Sequence, residues 1–528
     1  MGRGLHGKRR LVVLRVMTSA DTLLARDFAT LSDLVRAHAA DRGDAIVVAD
    51  PMRRLNWRDF DALTDRIAAQ LQADGLNKGD RVAVAGVNSV EHVAVLIGAL
   101  RAGACAGLVT NSATGEQMAA MVRDTGAATL FLDRAAAESL AGQDIGSVLC
   151  IGMDGPYAGK PLADWMAPAG STPAFVAVGP DDEFNIIYSS GTTGTPKGIV
   201  HTHGMRWQHI WRGIPAYGPA AVTILSTPLY SNTTMASFLP TLGSGGKTVL
   251  MGKFDAHDFL ELAARERATN CMLVPVQYRR IMALDDFAAF DLSSFVMKYC
   301  TSAPFAAQLK ADVLARWPGG LVEIYGMTEG GGVCLLEAHK YPGKLHTVGQ
   351  PAPGHDMRVI DEGGNELPSG SIGEIVGRSP AMMKGYNNRP DATSAMHWHD
   401  ADGNLFYRQG DIGRFDEDGF LTLMDRAKDM IISGGFNIFP SDLEAILLAD
   451  PRVVEAAVVG VPSEEWGETP VAFVVLREGD GEAVRAACNA KVGKTQRLSA
   501  IVIVADVPRN AIGKVLKREL RDAWIGKS

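Results

Sequence analysis

The chain has 528 residues, too many for one hydrophobic core, so two or more domains are expected. With 47% hydrophobic and 21% charged residues it reads as a soluble globular protein, and a formal charge of -8 argues against a nucleic-acid partner. The six cysteines (Cys105, Cys150, Cys271, Cys300, Cys334, Cys488) form no C-x-x-C pair, which excludes a zinc ribbon and suits a reducing, cytoplasmic compartment, and no apolar run reaches transmembrane length.

Residues 1–16 hold Arg3, Lys8, Arg9, Arg10 and Arg15 around a short Leu11-Val12-Val13-Leu14. That segment is too short for a secretory core and lacks a cleavage site, so a disordered basic tail is expected, with Met17 as an alternative start. From Asp21 to Asp133 helix and strand patterns alternate. Helices are expected around Phe28–Val35, Leu63–Leu71 and Val90–Leu100, with strands at Asp80–Ala85 and Ala104–Val109. Such alternation implies a mostly parallel sheet covered on both faces.

The organising stretch follows a buried-strand pattern, Phe184-Asn185-Ile186-Ile187. It runs Tyr188, Ser189, Ser190, Gly191, Thr192, Thr193, Gly194, Thr195, Pro196, Lys197, Gly198. Glycines let a backbone approach an anion closely, N–H groups and hydroxyls donate to phosphate oxygens, and Lys197 adds a point charge. This is a triphosphate-gripping composition, yet not the Walker spacing. His201, His203 and His209 follow; with no carboxylate or Cys at ligand spacing they read as hydrogen-bonding residues rather than metal ligands.

A strand then enters the loop Thr227-Pro228-Leu229-Tyr230-Ser231-Asn232, further strands are expected at Thr248–Met251 and Cys271–Pro275, and the turn Thr301, Ser302, Ala303, Pro304 precedes a helix over Phe305–Leu314. The second constellation is Glu323, Ile324, Tyr325, Gly326, Met327, Thr328, Glu329. It suits a nucleotide end-site: Tyr325 would stack on adenine, Thr328 would donate to the α-phosphate, and Glu329 would hold Mg²⁺. Asp411, in Tyr407-Arg408-Gln409-Gly410-Asp411, is a carboxylate suited to accept two ribose hydroxyls. A small barrel or distorted sheet is expected from about 335 to 425. Asp425-Arg426-Ala427-Lys428-Asp429 precedes an apolar strand and the pair Gly434-Gly435, and Ser441-Asp442-Leu443-Glu444 starts a helix by a capping pattern. Val453–Val461, Val471–Val475 and Ile501–Val504 complete a compact α+β unit that ends in Asn510-Ala511-Ile512-Gly513-Lys514.

In order and spacing these motifs resemble the adenylate-forming superfamily of acyl-CoA synthetases, luciferases and peptide-synthetase adenylation domains, over nearly the whole chain. The resemblance implies an α/β fold: a large multi-part N-terminal domain, 17–428, with parallel sheets flanked by helices and a small β-rich piece, and a small mobile α+β domain, 429–528. The hinge would be Lys428. It further implies that Lys514 enters the active site, that Ser302-Ala303-Pro304 meets adenine, that Arg426 touches ribose or phosphate, and that Gly434, Gly435 and Trp466 flank the pantetheine path of coenzyme A. ATP, Mg²⁺, coenzyme A and a small carboxylic acid would be the partners, with a homodimer as an option. Departures are Ser231 where many members have His, Thr301 and Ser302 where glycines are usual, and the missing proline in Lys494-Thr495-Gln496-Arg497-Leu498.

Adenylation joins two anions, a carboxylate and an α-phosphate; unit charges 4 Å apart repel by about 4 kcal/mol at an effective dielectric of 20. Lys197, Lys514 and the metal on Glu329 would offset that repulsion, with no protein nucleophile required. The acid pocket is expected to involve Tyr230, Ser231, Gly326, Met327, Gly330 and Gly331, with Val274 and Phe305 adding apolar surface. Glycine at 326, where acetate-specific relatives are closed by tryptophan, and Gly330-Gly331-Gly332 leave space. The expected substrate is a medium- or long-chain fatty or aryl monocarboxylic acid, with a slight lean to fatty. An amino-acid module would want an Asp in Leu229–Asn232 and has none there; a non-catalytic nucleotide-binding protein would be expected to lack Lys514 or Glu329. Activation for a carrier-protein thiol stays open.

Overall fold

The computed structural model describes residues 18–157, 159–189, 196–426, 429–433, 436–463, 466–493, 496–510 and 513–525. The basic tail, loop residues Ser190–Thr195, Lys428, expected as the hinge, and Gly434-Gly435 lie outside them, as do the side chains of Ser189 and Arg426.

An eight-stranded sheet runs in the order Gly385–Tyr386, Lys197–Thr202, Glu183–Ser189, Cys105–Leu108, Arg81–Ala85, Thr129–Leu132, Leu149–Gly152, Lys160–Pro161. From Glu183–Ser189 to the far edge every pairing is parallel. Successive side chains of a strand point to opposite faces. Val82 and Val84 accordingly enter a core with Phe60, Ile67 and Leu96 of the helices Trp57–Ala73 and Val90–Arg101. Ala83 and Ala85 enter a second core with Met118 and Val122 of the helix Gly115–Thr125. Those helices begin on side-chain caps, Asn56, Ser89 and Thr114, each accepting from a backbone N–H in the first turn.

A nine-stranded sheet runs Gln350–Pro351, Val333–Glu337, Gly320–Gly326, Met297–Cys300, Asn270–Leu273, Val222–Leu225, Lys247–Leu250, Ile46–Ala49, Arg54–Asn56. Its centre is parallel. The expected β-rich piece is a five-stranded antiparallel sheet that includes Gly373–Arg378, Leu405–Phe415 and Leu421–Arg426.

The C-terminal unit is a fourth sheet, led by the long antiparallel pair Val453–Ser463 and Gly467–Leu476. The helix expected to begin by side-chain capping at Ser441 instead spans Pro440–Leu448, with Phe439 at its cap and no side-chain cap bond. Proline at the first position supplies the start, because its missing N–H is one that a helix leaves unpaired anyway. The Ser441 hydroxyl donates to the Met424 carbonyl on the strand Leu421–Arg426.

Candidate active site

Two antiparallel strands flank the expected phosphate loop. Glu183–Ser189 and Lys197–Thr202 are antiparallel, with Ser189 opposite Lys197 and Tyr188 opposite Gly198. Gly198 has no room for a side chain: a Cβ there would lie 2.8 Å from Ile186 Cγ2. The hairpin thus anchors both ends of the loop, while Ser190–Thr195 lie outside the described residues.

The short strand Gly385–Tyr386 adds to the same hairpin, with Tyr386 opposite Ile199. This brings together three residues that are far apart in sequence. Lys197 Nζ lies 5.1 Å from the centre of the Tyr386 ring. The Tyr386 hydroxyl donates to Glu329 Oε1 at 2.6 Å. Burial, then the neighbouring carboxylate, push the Tyr386 phenol well above its ordinary value, so it keeps its proton and stays a donor. From the sequence, Tyr386 falls only within the β-rich piece expected from about 335 to 425. Its sole signal is an aromatic after a glycine, and nothing local says that it faces Glu329.

Tyr325 and Asp411, 86 residues apart, meet directly: the Tyr325 hydroxyl donates to Asp411 Oδ2 at 2.7 Å. Asp411 pairs in register with Arg426 across the strands Leu405–Phe415 and Leu421–Arg426. Thr328 is held from behind, its carbonyl bonded to His201 Nε2 at 2.9 Å. Glu323 is placed differently from its neighbours. Its carboxylate is 4% exposed and pairs with Lys310, so this position can meet a nucleotide only through its backbone. Burial raises the Glu323 carboxyl to about 7 against the pull of Lys310.

Ser302 adopts φ +81, a left-handed conformation that costs a non-glycine residue about 1–3 kcal/mol. That φ explains why glycines suit this turn. Two bonds hold the strained segment: Thr301 Oγ1 donates to the Ile324 carbonyl at 2.7 Å, and Ser302 Oγ meets Thr233 Oγ1 at 2.5 Å. Ser231 caps the helix Asn232–Gly243, and Tyr230 is buried with its hydroxyl on Ser112 Oγ. Asn88 supports the loop, donating to the carbonyls of Thr227 and Met251 and accepting from Leu229 N–H.

The glycines after Glu329 differ from expectation. Gly330 has φ +81, and a Cβ there would lie 1.9 Å from the Ala381 carbonyl oxygen; at Gly332 it would lie 2.5 Å from Met357 Cγ. These glycines let the antiparallel sheet pack closely and do not leave open pocket space. Gly326 is less crowded, with Val333 Cγ2 at 3.0 Å from an added Cβ.

The Lys514 turn docks on the large domain. Gly513, at φ +78, would place a Cβ 2.9 Å from Val276 Cγ1 and 3.4 Å from Val274 Cγ2, beside the end of the strand Asn270–Leu273. Asn510 shapes the turn, its Oδ1 accepting from Lys514 N–H. Glu455 fastens it, pairing with Arg279 of the large domain at 3.3 Å and with Arg509 at 3.0 Å.

Comparison with known proteins agrees with this geometry. A family model described as AMP-binding enzyme matches residues 35–387, and its C-terminal-domain counterpart matches 442–514. This chain is an AMP-binding enzyme of the adenylate-forming acyl-CoA synthetase superfamily. A feruloyl-CoA synthase of Amycolatopsis is 33% identical over 476 residues, 88% of this chain and 93% of the relative. A long-chain-fatty-acid–CoA ligase of Mycobacterium tuberculosis is 30% identical over 501 residues, 93% and 97% of the two chains. ATP-bound MatB from Rhodopseudomonas palustris superposes with a TM-score of 0.83 at 29% identity, over 94% of this chain and 99% of that one. The enzyme is an AMP-forming acyl-CoA synthetase, using ATP and CoA. In this synthetase Ser433 pairs with Gly467, the residue after Trp466, which is 40% exposed. No helix among the described residues is long and apolar enough to cross a membrane.

Proposed function

We propose that this synthetase activates a bulky monocarboxylic acid, fatty or aryl, as its acyl-adenylate and then passes the acyl group to CoA. In the first step a carboxylate oxygen bonds to the α-phosphorus of ATP and pyrophosphate leaves. Lys197 and Lys514 offset the charge that accumulates there, and Thr328 donates to the α-phosphate. Tyr325 and Asp411 receive the adenosine, with Arg426 alongside. Glu329 offers the hard oxygen donors that suit Mg²⁺, which would neutralise phosphate charge, and Tyr386 orients that carboxylate. In the second step the CoA thiol attacks the acyl carbon and AMP leaves. Rotation about Lys428 would carry Lys514 out and bring Gly434, Gly435 and Trp466 in. A reducing cytoplasm and a homodimer fit this reading.

One observation supports a bulky acid and favours its aryl form. Val322, Ile324 and Gly326 alternate onto one face of their strand. Tyr299, opposite Val322 in register, and Met272 extend that face across the neighbouring strands. Beneath lies a stacked pair, Tyr217 on Tyr299, with centroids 5.7 Å apart and planes at 13°. The Tyr217 hydroxyl bonds Ser237 at 2.7 Å. We read this buried aromatic cluster as the floor of the acid site, where flat rings ending in hydroxyls suit a ring better than a long alkyl tail, against the slight lean to fatty acids drawn from the sequence. An unpaired charged tail would cost several kcal/mol there.

Pyrophosphate release with octanoate, acetate and a cinnamate-type acid tests this, each with CoA and with a carrier protein. The expected order is cinnamate-type, octanoate, acetate, with turnover requiring CoA. Preference for acetate would overturn the pocket, and turnover with carrier protein alone would establish the carrier-thiol reading.

A further inference from the structure

Arg206 is one of the largest fully buried side chains in the protein, at 0% exposure, on the helix His203–Gly213. Among the described residues no carboxylate pairs with it. Its partners are neutral and come from four places. Nε donates to Asn185 Oδ1 at 2.9 Å, and one terminal nitrogen to Asn232 Oδ1 at 2.7 Å. The other faces His201 Nδ1 at 3.0 Å, and His209 Nδ1 lies 3.2 Å from the first. Burying an uncompensated guanidinium works against stability.

The bonds specify a relay. His201 Nδ1 faces Arg206 and also the Asn185 side-chain nitrogen at 3.3 Å. A guanidinium is a donor only, so Nδ1 must accept. The ring, kept neutral by burial, then carries its proton on Nε2, which faces the Thr328 carbonyl at 2.9 Å. The same guanidinium grips Asn232, the first residue of the helix that follows Ser231 and carries Thr233.

We propose that Arg206 is a positioning residue for adenylation: it fixes the His201 tautomer that holds Thr328, and clamps the Asn232 end of the acid-pocket helix to the same frame. It ties the strand leaving the phosphate loop, the Thr328-Glu329 segment and the acid loop into one unit. The inference rests on the reading that Thr328 serves adenylation.

The test is a double-mutant cycle on acyl-adenylate formation with Arg206→Met and His201→Phe, alongside nitrogen NMR of the His201 ring. Each single variant is expected to lose at least about tenfold in kcat, as for lost hydrogen bonds to a charged group. The double variant should lose no more than the worse single one. The wild-type ring should report a proton on Nε2, a bias that Arg206→Met loses. Conversion of supplied acyl-adenylate should change less than adenylation. If Arg206→Met does not fold, Arg206→Lys keeps the charge without the planar fork and should still lose adenylation rate. Singles within about twofold of wild type, multiplicative losses or an unchanged ring signature would each overturn the proposal. Thr328→Ala separates the two layers: full adenylation in that variant overturns the Thr328 reading itself, while an inactive Thr328→Ala beside an active Arg206→Met overturns only this inference.

Discussion

Tyr386 carries the clearest prediction at the residue scale. Tyr386→Phe keeps the ring over Lys197 and deletes the donor to Glu329 Oε1. Adenylation should fall about 10- to 100-fold, the worth of a hydrogen bond to a charged group, and the Mg²⁺ concentration for half-maximal rate should rise. Unchanged magnesium dependence in initial-rate assays would remove Tyr386 from the site. Gly330→Ala should destabilise the fold by at least about 1–3 kcal/mol in urea unfolding, because φ +81 and the Ala381 carbonyl both exclude a Cβ. Gly326→Ala should cost far less, since Val333 need yield only slightly. Residues in contiguous motifs, such as Lys197 and Glu329, could be read from the sequence because their chemistry is written locally. Tyr386 and Arg206 could not. Each owes its role to a partner brought close by strand pairing, and a lone Tyr or Arg has no spacing that announces this. Glu323 shows the converse: it sits inside a legible motif, yet strand alternation turns its carboxylate to Lys310.

At the scale of elements, Glu455 joins the two domains through Arg279 and Arg509. Glu455→Gln should weaken the docking of the Lys514 turn against Val274 and Val276. The expected outcome is slower adenylation and unchanged or faster conversion of supplied acyl-adenylate to thioester, read from the two half-reactions separately. Equal slowing of both would mean that the pair only stabilises the fold. The elements themselves were largely legible. Apolar runs such as Arg81–Ala85 and Cys105–Leu108 are strands because both faces are buried, and periodic stretches such as Val90–Arg101 are helices. The start of the Pro440–Leu448 helix was misread, because a Ser-x-x-Glu string resembles a cap wherever it falls and Pro440 had already set the boundary. The hairpin geometry of the phosphate loop was not legible either, since a strand, a glycine-rich turn and an apolar step fit parallel and antiparallel returns equally.

For the whole molecule, buried histidines predict a pH dependence. Burial lowers His92 and His203 from 6.5 to about 4. Between those values the unfolded chain binds protons that the folded protein refuses, so stability is lost as pH falls from about 6.5 toward 4. Each contributes of order 1–3 kcal/mol across that window. Glu323, raised to about 7, opposes this in part, because its protonated form is the one favoured in the fold. The urea midpoint should be lower at pH 5 than at pH 7; an equal or higher midpoint would contradict the burial of these rings. A large N-terminal and a smaller C-terminal domain were legible from motif order alone, whereas the docking of one on the other was not, because motifs name residues and not the surfaces that meet. Here the Gly513–Lys514 turn lies against Val274 and Val276, the docking that the proposed role of Lys514 in adenylation calls for. The central claim is that Lys514 serves the first half-reaction and not the second. The direct measurement is Lys514→Ala, assayed for acyl-adenylate formation and, separately, for thioester formation from supplied acyl-adenylate and CoA. The account predicts loss of the first by orders of magnitude with the second retained; equal loss of both, or a retained first step, would contradict it.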